Sequence, residues 1–413
     1  MKIEIETVKG FKDYLPPESL IRSAMKRIIE NKYQLYGFSP IETPVVEFDE
    51  LMRPDSLNDE DEAVSDRFKL KDRAGRNLGL RYEFTFQLAR IFKENPNIKL
   101  PFKRYQIGEN FRDEPIRAGR TRQFTQCDID IIGDSSVNSD AECLALVSDI
   151  LRELKISNFK IKVNNRKLLN SIIESVEIKE IKHVMRELDK IEKVGEDQVK
   201  ANLRKYADSN KILTLFKLLE KDITFFKENK FDGSSELEEL SKICKFYKIK
   251  LDFSPSMIRG FGYYTGNIFE FVSENKTAIV GGGRYDKLIG KFINRDIPAV
   301  GISFSLESLM EICSKDISEL KLQKIPKTLI ISIDQNESSI KLSRNLRNNN
   351  ISCSLIAEKI GKSLEYANSQ NIPYVIFVGE EEIKKKKFKL RNMQSGEEKD
   401  LIEKQLISFL LKN

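Results

Sequence analysis

The chain has 413 residues, 40% hydrophobic and 32% charged, with a net charge of +6. That length suits two or three domains with cores of their own, and no run approaches the ~18 apolar residues of a membrane span. A single histidine, His183, and five scattered cysteines without a Cys-x-x-Cys spacing argue against a disulfide framework, a histidine or cysteine metal site, and Ser-His or Cys-His catalysis. Any chemistry must then run on carboxylates, arginines and a substrate group. The charge permits a polyanionic partner without requiring one. The first ten residues lack the apolar core of a signal peptide and include acidic residues, so a cytoplasmic location is expected.

Residues 16–36 read as a helix. Pro16-Pro17-Glu18 suits its start, and Leu20, Ile21, Ala24, Met25, Ile28, Ile29 and Tyr33 recur at helical spacing. Residues 38–47 read as an extended piece whose Pro40 and Pro44 confine it to an edge or an interface. Residues 66–85 read as a hairpin turning at Gly75, and 86–94 as a short helix. A second hairpin spans 101–133, with the loop 115–122 at its tip, before a helix at 138–154 and a strand at 159–164. From 166 to 248 the pattern is amphipathic helix, with His183 on a charged surface stretch. Strands return at 251–253, 263–272 and 276–281, and 297–312 passes from apolar strand into helix. Beyond 326, strands at 327–333, 351–356 and 373–378 alternate with helices at 336–349, 362–370 and 402–411, which predicts a small α/β domain. The run Lys384–Lys387 reads as a solvated loop.

The segment Ile258-Arg-Gly-Phe-Gly-Tyr-Tyr-Thr-Gly-Asn-Ile-Phe-Glu-Phe271 combines a guanidinium fork, two tyrosine faces and glycines that let a backbone approach a ligand. It suits a small, flat, anionic or zwitterionic molecule, or a glycine-rich turn into a core strand. Strand parity places Gln126, Asp128 and Asp130 on one face, opposite Cys127, Ile129 and Ile131. It likewise groups Arg81, Glu83 and Thr85. A polar ladder is commonly the wet side of a sheet, but two of them beside an arginine-rich loop (Arg112, Arg117, Arg120 and Arg122) suggest a pocket floor. The arginines could clamp a polyphosphate. No Gly-x-x-x-x-Gly-Lys-Ser/Thr occurs, so an ATP site would not be a P-loop. Gly281-Gly-Gly283 could cradle phosphate or allow close packing. Tyr263 and Tyr264 cannot both face a pocket from a regular strand, so either one is core or Gly262 and Gly266 distort the strand.

Together these segments resemble the histidyl-tRNA synthetases, a family of class II aminoacyl-tRNA synthetases, over nearly the whole chain. Residues 16–47 resemble motif 1. Phe111-Arg-Asp-Glu114 through Gln123-Phe-Thr-Gln-Cys-Asp-Ile-Asp130 resembles motif 2. Leu80-Arg-Tyr-Glu-Phe-Thr85 and Arg259-Gly-Phe-Gly-Tyr-Tyr-Thr-Gly266 resemble the histidine-pocket motifs. The Gln-Cys-Asp-x-Asp form suggests the archaeal and eukaryotic style.

The resemblance implies an α+β catalytic domain on an antiparallel sheet (1–165 and 249–321), a helical insertion (166–248) and a C-terminal α/β anticodon-binding domain (326–413). It implies a homodimer that activates L-histidine with ATP and Mg2+ and charges tRNA(His). Glu83 and Thr85, beside Phe84, would hold the amino group, Gln126 the amine and carboxylate, and Asp130 and Tyr264 the ring nitrogens, with Tyr263 nearby. Arg112 would bind the α-phosphate, Glu114 the adenine amine, Arg120 and Arg122 the outer phosphates. Arg259 would sit by the α-phosphate and the substrate carboxylate. Ser305 and Ser308 depart from the family pattern: they stand where motif 3 carries glycine and an adenine-stacking arginine, and Gly262 replaces a residue often acidic. Serine offers no cation–π contact, so Arg112 and Arg259 would carry more of the charge around ATP. The alternative is a non-catalytic relative, such as the histidine-sensing regulatory subunit of ATP phosphoribosyltransferase.

Overall fold

The computed structural model describes residues 5–52, 67–116, 120–259, 262–274, 277–293, 295–313 and 326–412. Its first element is the helix Glu18–Leu35, which buries Met25, Ile29 and Tyr33 along one stripe. Gly37 follows with φ +79° and turns the chain out of the helix. Strand β1 (Ser39–Pro40) then lies at the edge of the main sheet, parallel to β5 (Phe102–Phe111), where a proline costs no ladder bond.

Strands β2 (Val46–Phe48), β3 (Lys69–Lys71) and β4 (Asn77–Leu80) make a separate antiparallel sheet in the order β2-β4-β3. The turn between β3 and β4 has Gly75 at φ +79°. β4 ends at Leu80, so the expected strand through Thr85 does not form. Residues 81–85 are irregular and lead into the helix Phe86–Glu94.

The main sheet has eight strands. β5 pairs antiparallel with β6 (Gln123–Ile132) over ten residues, from Phe102↔Ile132 to Phe111↔Gln123. Then come β7 (Phe159–Asn165), β8 (Leu251–Phe253), β9 (Asn267–Ser273), β10 (Ala278–Arg284) and β11 (Ala299–Ser305), giving the order β1-β5-β6-β11-β10-β9-β7-β8. The centre is antiparallel and both ends are parallel. Parity along β6 holds. Cys127, Ile129 and Ile131 enter the same core as Met25, Ile29 and Leu144, each isoleucine contributing roughly 1.5–3 kcal/mol. Gln126, Asp128 and Asp130 take the other face, and all three are buried there rather than wet.

Residues 166–246 form seven helices, from Arg166–Ser175 to Ser234–Phe246. Their apolar side chains, among them Leu168, Ile172, Val184 and Leu240, belong to the same continuous core as the sheet. His183 is half exposed and stacks on Tyr206 at 5.1 Å.

The chain forms two compact units, Met1–Leu320 and Lys321–Asn413. The second unit has the order β13-β12-β14-β15-β16, formed by β12 (Thr328–Ser332), β13 (Cys353–Ile356), β14 (Tyr374–Val378), β15 (Phe388–Asn392) and β16 (Glu398–Leu401). The first three strands are parallel, as expected, and the last two add an antiparallel hairpin that the sequence reading missed. Its charges hide the strand pattern: Lys389 and Arg391 lie 3.6 and 3.7 Å from Glu398. Lys384 and Lys385 close the helix Glu380–Lys385 through ion pairs to Glu380 and Glu381, so that run begins in a helix rather than a loop.

Candidate active site

A cavity of about 200 Å³ opens over the polar face of β6. Most of the residues singled out above meet there: Glu83, Thr85, Arg112, Glu114, Arg120, Gln126, Arg259, Tyr263 and Tyr264 all line it. Three do not. Phe84 is fully buried, with the Arg81 guanidinium 4.9 Å from its ring, and serves as packing. Arg122 is turned to Asp113 at 3.1 Å and packs against Gly10. Asp130 lies behind the wall, and Asp128, two residues earlier on the same face, takes the place at the cavity. Arg117 lies outside the described residues.

Glu83 reaches the cavity by a route other than strand parity. It sits at the start of the helix Phe86–Glu94, where its carboxylate accepts the Phe86 N–H at 2.6 Å. A carboxylate at a helix N-terminus gains both that hydrogen bond and the favourable dipole. The two tyrosines also escape the parity conflict. Residues 262–266 precede β9 as a turn, so Tyr263 and Tyr264 both face the cavity with ring centroids 4.8 Å apart.

Gln126 is held from both sides. Asn110 donates to its Oε1 at 2.8 Å, and its own amide donates to Asp128 at 2.9 and 3.0 Å. Arg112 lies between the rings of Tyr82 and Phe124, 4.4 and 4.9 Å from their centroids. Arg120 faces Glu114 at 3.6 Å. Arg259 donates to Glu270 at 2.7 Å. Next to Gln126, across the β6–β11 pair, the Ser305 hydroxyl accepts the Ser308 N–H at 3.0 Å and lies 2.7 Å from the Ser308 hydroxyl. Ser305 therefore caps the helix Leu306–Cys313.

Beneath the floor, Asp130 is ion-paired with Arg104 and accepts a hydrogen bond from the Tyr285 hydroxyl. Both of its oxygens are thus engaged, which is why it does not present itself to the cavity. Gly301 pairs with Asp130 across β6–β11, and a Cβ there would collide with the carboxylate. Burial pushes Asp130 up to about 7, with Asp128 and Glu83 adding to the rise, and Arg104 and Tyr285 opposing it. Burial likewise raises Glu83 and Asp128. Burial works against the Arg104 charge, but Asp130, Asp128 and Glu83 outweigh it and raise its pKa. The sequence reading gave no role to Arg104, Tyr285, Asn110 or Glu270. A buried arginine on a strand looks like a solvated one until the strand register is known.

The family model for histidyl-tRNA synthetase matches residues 10–309, well over half of the chain. The chain belongs to the histidyl-tRNA synthetase family. A second model, for the anticodon-binding domain, matches residues 308–413 of the synthetase chain. Histidine–tRNA ligase 1 of Bacillus cereus is 37% identical over 96% of this chain and 95% of its own length. A histidine–tRNA ligase of Clostridium tetani is 34% identical over 97% of each chain. The crystal structure of histidyl-tRNA synthetase from Nostoc sp. PCC 7120 superposes with a TM-score of 0.84 at 27% identity, covering all of both chains. These relatives are bacterial, so the archaeal and eukaryotic style expected from Gln-Cys-Asp-x-Asp is not supported. Among the described residues no helix is long and apolar enough to cross a membrane.

Proposed function

We propose that this synthetase activates L-histidine with ATP to histidyl-adenylate and pyrophosphate, then passes histidine to the 3′ end of tRNA(His). The convergence of Glu83, Gln126, Tyr264, Arg112 and Arg259 on one cavity carries this reading. Glu83 and Thr85 hold the substrate ammonium, helped by Gln126. Tyr264 meets the ring. Asp128 is the carboxylate on the wall, and Asp130 acts from behind it, fixing Tyr285. A site that pairs both ring nitrogens rejects isosteres that would leave buried polar groups unpaired. The histidine carboxylate attacks the α-phosphorus and pyrophosphate leaves. Arg112 and Arg259 stabilise the charge that develops there, Glu114 takes the adenine amine, and Arg120 the outer phosphates. The tRNA's terminal ribose hydroxyl then attacks the acyl carbonyl and AMP departs. No protein nucleophile is required.

Among the described residues, no three His, Cys, Asp or Glu side chains are gathered to hold a metal. Magnesium would come as the companion of the ATP phosphates, the usual mode for that ion, and no step is assigned to it. The match to an anticodon-binding domain favours the ligase over a regulatory paralogue. The exposed apolar residues Val46, Phe48 and Leu70 of the small sheet favour a homodimer closed through that face. A tRNA-charging role favours a cytoplasmic location.

Histidine-dependent ATP–pyrophosphate exchange tests the proposal. Exchange is expected with wild type and is expected to fall by about 10²–10³-fold, to a measurable residue, with Arg259→Ala, while histidine binding weakens only modestly. Retained histidine binding without exchange in the wild-type protein would defeat the ligase reading.

A further inference from the structure

The geometry points to Glu270 and Gly281 as positioning residues that together form a slot for the catalytic arginine, Arg259. This rests on the ligase reading for Arg259 itself. Glu270 on β9 and Gly281 on β10 pair directly across the two strands, so their side-chain directions share one face of the sheet. Arg259 lies across that pair. Its Nη1 donates to Glu270 at 2.7 Å. A Cβ added at Gly281 would fall within the guanidinium group. The missing side chain is therefore the space the arginine occupies, and the carboxylate is its anchor.

This accounts for one part of the Gly281-Gly-Gly283 run. Gly281 and Arg259 both line the cavity, whereas Gly282 and Gly283 do not. A Cβ at Gly282 would meet the backbone of Gly301, and one at Gly283 the backbone oxygen of Asn267 and the Tyr264 ring. Those two glycines serve strand packing. Gly281 alone serves the arginine, so the run is not a phosphate cradle.

The anchor also sets which part of the guanidinium is committed. Glu270 takes Nη1, while Nε is buried with no hydrogen-bond partner among the described residues. A planar fork with one nitrogen tied down has less freedom left to lose when an anion arrives. Without Glu270 the side chain must be ordered at the moment of reaction, and a displacement near 1 Å can cost about a hundredfold in rate.

The test is a double-mutant cycle on Glu270→Gln, Gly281→Ala and Arg259→Ala, read as single-turnover adenylate formation. Either slot variant is expected to lower kcat by about tenfold to a hundredfold, with KM for histidine within about threefold. On the Arg259→Ala background neither is expected to cost anything further. An undiminished loss on that background, or a loss confined to KM, would overturn the inference. The crystal structure of Gly281→Ala supplies a readout independent of activity: the guanidinium is expected off β10, and an unmoved one refutes the slot. Should the wild-type protein form no adenylate, the ligase reading fails, while this structural arm still decides the slot.

Discussion

Arg104 and Asp130 face each other across the β5–β6 pair as an ion pair in which the arginine is completely shielded from solvent. Asp128 and Glu83 share the field of that same cation. One buried positive charge thus underlies three carboxylates, two of which reach the cavity. Replacing Arg104 with methionine leaves Asp130 without its counter-charge. A loss of up to about 3–5 kcal/mol is expected at a pH above about 7, where Asp130 is ionised, measurable as a lowered urea midpoint. A loss below about 1 kcal/mol would mean that the pair contributes little.

The same carboxylate makes stability depend on pH. Burial lifts Asp130 from the ordinary carboxylate range to about 7 in the folded protein. The folded state therefore keeps a proton that the unfolded chain has already released. Stabilisation from that proton is complete below about pH 4 and is lost as pH rises through about 7. Asp130→Asn cannot ionise, so its stability relative to wild type should improve across this window. Urea midpoints of both proteins at several pH values check the sign.

Ser305 has two duties, at the cavity and at the start of a helix. Ser305→Ala is expected to cost about 1 kcal/mol and Ser305→Gly a few tenths, read as shifts in Tm. If alanine and glycine behave alike, the cap is not the source of the effect. Ser308→Arg is expected to lower KM for ATP severalfold by restoring a stacking cation, for which about 0.5–2 kcal/mol is typical.

Arg112 and Arg122 should separate cleanly. Arg112→Ala removes a cavity cation and is expected to reduce exchange by about 10²–10³-fold. Arg122→Ala, whose partner is Asp113 outside the cavity, should leave KM for ATP within about twofold. Comparable losses in the two variants would show that the loop rearranges around ATP.

Phe48→Asp and Leu70→Asp place charges on the exposed apolar face of the small sheet. Each removes a side chain that would contribute roughly 1.5–3 kcal/mol if covered, so sedimentation should shift from dimer toward monomer. An unchanged sedimentation coefficient would exclude that face as the contact.

Much of the framework was legible because it rests on local rules. The helical stripe through Met25, Ile29 and Tyr33, the turn at Gly75 and the alternation along β6 each follow from spacing or backbone geometry. The cavity was legible where strand alternation truly applied, at Gln126. Elsewhere parity misled. Glu83 reaches the cavity from a helix start, and Tyr263 and Tyr264 from a turn. Asp130 and Asp128 share a face, and only the register with Arg104 and Gly301 decides which one is covered. Glu270 and Gly281 gain meaning only when β9 and β10 are set side by side.

The order of strands bears on how the protein is made. β6 reaches its final neighbour only when β11 exists, since Ile132 pairs with Ala299 and Gln126 with Ser305. At ordinary rates of synthesis, the intervening chain takes roughly ten to thirty seconds to emerge. For that time the strand that supplies the cavity floor has an open edge, a template for pairing with the wrong chain. The seven helices that follow β7 are completed in this interval and can bury apolar surface before the sheet closes. A nascent chain halted before residue 299 should therefore aggregate more readily than one halted after 313.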